Sequence, residues 1–233
     1  MEKKLLKKIY NTEFFKLPRN CFYRLLQQAN LKELSIKKLR DIILSCPILT
    51  FAVLKFANSK EFGFSGKILT ITEALSLLEL TIAKNYLLSF KEYENEFKSL
   101  NICKRILSAV RKVKRFVLKN KIKQWELFCI IALLKEIAII LYINFFRQHN
   151  YTRLIQNKVN INAIIMKKCN FPILYYHIYK NSNRKKYKWL KEFISVAFKY
   201  HNFNYARYVY TLEKEIPDII EKLRQWDKIK EVR

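Results

Sequence analysis

Glycine is nearly missing from this sequence, which has two Gly and four Pro in 233 residues. Hairpin turns and doubly wound nucleotide-binding sheets both need glycine at fixed points, so the composition argues against those folds and for helices. Histidine and aspartate are equally scarce. His149, His177 and His201 lie in separate segments without i,i+4 spacing, and Asp41, Asp218 and Asp227 are the only aspartates. Such a set offers little to a metal site or to histidine-based catalysis. The five cysteines (Cys21, Cys46, Cys103, Cys129 and Cys169) are odd in number and scattered, and no pair has C-x-x-C spacing. Reduced thiols in a cytoplasmic protein are the expectation. No cysteine adjoins a histidine that could activate it, and neither a Walker loop nor a G-x-G-x-x-G fingerprint is present, so no cofactor is expected.

Acidic residues are missing from one region in particular. The net charge is +27, yet residues 1–96 carry 16 Lys/Arg against 10 acids and residues 192–233 carry 8 against 7. Residues 97–191 carry 22 against two, Glu126 and Glu136. AT-rich coding would explain abundant lysine, but it would not remove glutamate, whose codons are as AT-tolerant. The deficit therefore predicts an electropositive face that attracts phosphates or another anionic surface. Two groups of residues could form it. Lys104, Arg111, Arg115 and Lys119 recur at steps of seven, four and four along one helical segment. Arg184, Lys185, Lys186 and Lys188 are interleaved with Tyr187 and Trp189 and follow Tyr175, Tyr176 and Tyr179. Base stacking combined with phosphate contact would use that mixture. The competing reading has Tyr187 and Trp189 facing the core while the cations are solvated.

What is abundant is apolar residues, 51% of the chain, in helical periodicity almost from end to end. Asn20 is the expected cap of a first helix and Ser35 of a second. Pro47 suits the first turn of a helix reaching Asn58, with Cys46 a weak cap before it. Gly63 and Gly66 fall in an irregular loop, and Thr70-x-x-Glu73 reads as a capping box. Ile102, Ile106, Val110, Val113 and Val117 form a buried stripe. The segment Leu127–Phe146 is long enough to cross a membrane, but Lys135 and Glu136 lie at its centre, where each would cost roughly 2.5–3.5 kcal/mol. A single buried central helix is expected instead, with shorter helices at Asn162–Cys169, Pro172–Lys180, Arg184–Tyr200 and Tyr205–Glu213, and another from Pro217. Met1–Asn11 carries four lysines but no apolar run that would make a secretory signal. The polar stretch near residues 91–99 marks the expected boundary between halves 1–96 and 97–233.

Three motifs in order carry a family resemblance. Leu17-Pro18 precedes the first helix. Pro47 leads a helix ending in Asn58-Ser59. Thr70-Ile71-Thr72-Glu73-Ala74-Leu75-Ser76-Leu77-Leu78 follows an irregular loop. This pattern resembles the opening half of an HDOD domain. The resemblance is strong over residues 17–80 and weaker to about 200. It implies an all-α fold, an N-terminal helical bundle packed on a degenerate HD-like half. The family commonly has Gly where this chain has Glu79, so a left-handed cap is not expected there.

HD-superfamily phosphohydrolases hold metal with a His, a His-Asp dipeptide and a distant Asp. By the resemblance, Ala132-Leu133-Leu134-Lys135-Glu136-Ile137-Ala138 matches the dipeptide's setting, with Lys135 in place of His. A protonated ammonium cannot ligate a cation. No His precedes residue 149, and Ser195–Phe198, where the distant Asp is expected, contains none. A charge inside an apolar helix persists only if paired or hydrated, so an ion pair is expected at Lys135 or Glu136. The Asn58-Ser59 turn is expected to hold its loop. The resemblance implies a non-enzymatic cytoplasmic signalling module acting through a protein partner. The basic face supports an alternative, a protein binding nucleic acid, a nucleotide or another anion. A residual phosphohydrolase is the third reading.

Overall fold

The apolar periodicity becomes helices throughout the computed structural model, which describes residues 2–12, 15–30, 35–92, 100–146, 161–180 and 185–230. In chain order these are α1 (Glu2–Asn11), α2 (Arg19–Ala29), α3 (Ile36–Ile43), α4 (Pro47–Ala57), α5 (Ile71–Leu77), α6 (Leu80–Leu88), α7 (Leu100–Lys119), α8 (Trp125–Leu134) and α9 (Ile137–Phe146). Then follow α10 (161–168), α11 (Ile173–Tyr179), α12 (Lys185–Lys199), α13 (Tyr205–Glu215) and α14 (Ile219–Lys230). Two short strands, β1 (Lys16–Leu17) and β2 (Lys91–Glu92), pair in parallel with Lys16 opposite Lys91. The fold is all-α, as the composition predicts.

The core runs through α4, α8 and α9, which are apolar on every side. Every residue of α4 from Pro47 to Leu54 is buried, as are every residue of α8 after Trp125 and most of α9. A helix without a polar face has to be surrounded, and α4 packs on α5, α8 and α9. This contact joins residues before 96 to those after it in one continuous cluster. No helix among the described residues is long and apolar enough to cross a membrane.

Local chemistry sets several ends as expected. Ser35 Oγ accepts from Lys38 N, and Thr70 and Glu73 form a reciprocal capping box. Cys46 makes no capping bond. Gly63 and Gly66 take φ of 69° and 73° in the loop that needs them. Other features differ from expectation. The first helix begins at Arg19 rather than after Asn20, because the Pro18 carbonyl already accepts from Phe22 N. Helix α1 had no expected counterpart. It buries Leu5 and Ile9 against α9, and Lys55 Nζ of α4 donates to the Ile9, Tyr10 and Thr12 carbonyls at its C-terminal end, at 2.9, 3.3 and 2.6 Å. Those carbonyls would otherwise lack intrahelical partners.

Glu79 is the clearest departure. It links α5 to α6 at φ 54°, ψ 140°, a conformation that glycine adopts without a Cβ penalty. The link demands a positive φ whether or not the residue is glycine. Strain of this kind costs on the order of 1–3 kcal/mol, partly offset by glycine's larger entropy loss on folding. Glu79→Gly should therefore stabilise the fold by about 1 kcal/mol. Chemical denaturation that shows no gain in the midpoint would mean that the exposed Glu79 side chain makes up the difference.

Candidate functional site

The matched HD position lies at a break rather than within one long helix. The apolar segment 127–146 was expected to be continuous, but it is divided into α8 and α9 at Lys135-Glu136. Asn162 of α10 is inserted into the helical ladder. Its Oδ1 accepts from Ala138 N at 3.0 Å and its Nδ2 donates to the Lys135 carbonyl at 2.5 Å. Ala138 N would otherwise reach Leu134 O, and Lys135 O would receive Ile139 N. Side-chain insertion of this kind is a recognised cause of a kink. The break turns the two charged residues in different directions.

Lys135 Nζ lies 3.1 Å from Ser195 Oγ and 4.6 Å from the centroid of the Phe198 ring, both on α12. Glu136 is 3% exposed and its Oε1 lies 3.6 Å from Arg105 Nη2 of α7. The helix where the resemblance places a distant Asp thus receives an ammonium. Among the described residues no group of three or more His, Cys, Asp or Glu could hold a metal ion. Cys129 and Cys169 are buried deeply enough that desolvation pushes both thiols up to about 12, which makes them inert as nucleophiles.

Glu126 is also buried. From the first turn of α8 its carboxylate accepts from Thr72 N at 2.9 Å and Thr72 Oγ1 at 2.6 Å. It satisfies a free N–H of the first turn of α5 and lies at the positive end of that helix. Both acids of residues 97–191 are therefore committed inside the fold.

The cations of the stripe stay outside. Lys104, Arg111, Arg115 and Lys119 are all exposed along α7, and among the described residues none of the four forms an ion pair. Their neighbours Arg105 and Lys114 are paired instead, with Glu136 and Asp41. Arg115 lies 4.1 Å over the Tyr205 ring of α13. In the second cluster, Arg184 falls outside the described residues, and Lys185 and Lys186 contribute only their place in α12. Lys188 is exposed and sits 3.9 Å from Glu192. Tyr187 and Trp189 are half-buried with ring centroids 5.9 Å from Trp226 of α14, so these aromatics pack the C-terminal helix onto the fold. Tyr175 and Tyr179 are buried, donating to the Leu69 and Ile131 carbonyls.

This architecture has relatives. The profile of the HDOD domain matches residues 16–167. The chain belongs to the HDOD family. No curated protein matches it. Among solved structures, a virulence factor from Campylobacter jejuni subsp. jejuni superposes with a TM-score of 0.67 at 19% identity, covering 84% of this chain and 81% of that one. The MmoQ response regulator from Methylococcus capsulatus str. Bath gives a TM-score of 0.67 at 11% identity, covering 81% and 86%. At these identities the likeness is one of fold.

The Asn58-Ser59 turn of this HDOD domain is built into its interior. Asn58 is wholly buried; Nδ2 donates to the Leu54 and Ile68 carbonyls at 2.9 and 3.0 Å, and Oδ1 accepts from Ile68 N at 3.0 Å. Ser59 lines a neighbouring cleft of about 580 Å³ with Lys60, Glu61 and Lys168. His177 stacks on Tyr187 and His201 Nδ1 lies against the Phe198 carbonyl, and neither belongs, among the described residues, to a group of His, Cys, Asp or Glu that could hold a metal ion. His149 is outside the described residues. Sequence reasoning did not single out Asn162, Arg105 or Lys55. None has a local signal, because each acts on a segment distant in the chain.

Proposed function

We propose that this HDOD chain is a non-hydrolytic regulatory module of bacterial signalling, working in the cytoplasm through a protein partner. One observation carries the reading. At Lys135-Glu136, which the resemblance matches to the metal-binding dipeptide of an HD hydrolase, the ammonium lies on Ser195 and the carboxylate on Arg105. A cation entering there would have to displace Arg105 from Glu136, and Lys135 supplies a positive charge where the enzyme has a ligand. The descriptions of the two structural neighbours, a virulence factor and a response regulator, suit a signalling role. We read residues 1–96 as the signature-bearing half and 97–233 as the half that holds the closed HD position.

Untagged protein should contain far less than one transition metal per chain by elemental analysis. It should also leave phosphomonoester and phosphodiester substrates intact in the presence of Mn²⁺. One tightly held iron or manganese per chain, lost in Glu136→Ala, would overturn the proposal, as would hydrolysis that this substitution abolishes.

A further inference from the structure

We propose that the exposed stripe of α7, together with the adjoining start of α13, is a docking strip for single-stranded nucleic acid. The inference rests on the reading of the chain as a non-hydrolytic binding module and names a ligand for it.

Glu126 and Glu136 are 7% and 3% exposed, so no acid of residues 97–191 is left at the surface to offset its cations. Along α7 the division is sharp. Arg105 and Lys114 flank the helix and are paired with acids, whereas Lys104, Arg111 and Arg115 share one outward line and Lys119 continues it. At about 1.5 Å per residue the line runs for about 22 Å, long enough to follow several nucleotides. Four exposed cations held at fixed spacing with no acid partner among the described residues repel one another; the phosphates of a polyanion neutralise them, and release of its condensed counterions favours the complex.

Ser108 Oγ and Lys112 Nζ, both of α7, each reach the His201 carbonyl at 2.7 Å, which lays the segment after α12 along the stripe. Two cation–ring pairs then lie beside it: Arg115 over Tyr205 at 4.1 Å and Arg207 over Phe203 at 4.2 Å. Rings and guanidinium planes at half-exposed positions offer stacking faces to unpaired bases. A duplex hides its base faces and would leave these planes unused. A lipid surface would call for a broad apolar face, and among the described residues of α7 Leu118 is the one large apolar side chain that is exposed. An acidic protein would be served by the cations alone. The strip is not the Tyr187–Trp189 cluster, whose aromatics are packed on Trp226.

Fluorescence anisotropy tests this with labelled 20-nucleotide oligouridylate RNA and oligothymidylate DNA, a duplex of equal length, and vesicles containing phosphatidylglycerol. Both single strands should bind, more tightly than the duplex or vesicles at matched phosphate. Any preference between RNA and DNA identifies the source. Affinity should fall with salt at a log–log slope of about −0.7 per phosphate contacted. The double variant Arg111→Glu/Arg115→Glu should lose at least about tenfold in affinity and show a slope flatter by about 1.4, two phosphate contacts. Tyr205→Leu should weaken binding without changing the slope, which separates stacking from charge. Lys188→Glu, on α12 beside Glu192, should bind as the native chain does. Circular dichroism melting confirms that each variant is folded. The proposal is overturned by no single-strand binding near physiological salt, by binding indifferent to the Arg reversals, or by preference for duplex or vesicles. Cleavage of the bound oligonucleotide would instead overturn the non-hydrolytic reading, and its continued sensitivity to the Arg reversals would still support the strip.

Discussion

Asn162→Leu should be among the most destabilising single substitutions in this chain, lowering stability by about 3 kcal/mol. The Asn162 side chain satisfies two backbone groups at the break between α8 and α9, the Ala138 N–H and the Lys135 carbonyl. Leucine fills a similar volume and offers neither bond, so the measurement isolates the hydrogen bonding. Each buried group left without a partner costs roughly 1–3 kcal/mol. In a chain of this length 1 kcal/mol corresponds to roughly 2–4 °C in Tm, so thermal unfolding should shift down by about 6–12 °C. Native stability in Asn162→Leu would mean that the two helix segments join into one when the asparagine is gone. The break would then be a consequence of Asn162 alone, with no energetic value to the fold.

Asn58→Ala should cost about as much. Asn58 bonds both the N–H and the carbonyl of Ile68, tying the loop before α5 to the end of α4. Leu54 O keeps a second donor, Asn58 N, so the groups orphaned by the substitution are those of Ile68. A loss of roughly 2–6 kcal/mol follows from two buried groups. Asn58→Asp is the informative companion, because it retains the acceptor for Ile68 N and removes the donor to Ile68 O. It should also be destabilised, since a carboxylate would then face a carbonyl in a dry site. Unchanged denaturation of Asn58→Ala, together with altered binding of a partner, would show that this asparagine serves a ligand rather than the loop.

Much of the fold is legible without coordinates because it is written in short-range patterns. The capping box at Thr70-Glu73 involves residues three apart, the buried stripe of α7 repeats every three or four, and Gly63 and Gly66 announce their turn by being the only glycines. Glu79 shows where such reading fails. Residue type argued against a positive φ, yet the geometry between α5 and α6 requires one and glutamate endures it. The Leu127–Phe146 segment failed for another reason. Its composition supports one long helix, and only Asn162, about 25 residues further on, interrupts it.

The candidate site divides along the same line. The sequence alone determined that the chain is helical, that it carries the HDOD motifs, and that residues 97–191 are short of acids, and the resemblance it carries pointed to Lys135-Glu136 for the HD dipeptide. These are properties of composition and order. Tertiary structure decided what each charge does. It took Glu136 to Arg105, Glu126 to the N-terminus of α5, and Lys135 to Ser195, and it left Lys104, Arg111, Arg115 and Lys119 facing water. It also packed Tyr187 and Trp189 on Trp226 while setting Tyr205 under Arg115. Partners so far apart in the chain leave no periodic trace, because what selects them is the need to satisfy or neutralise a buried group once the helices have packed.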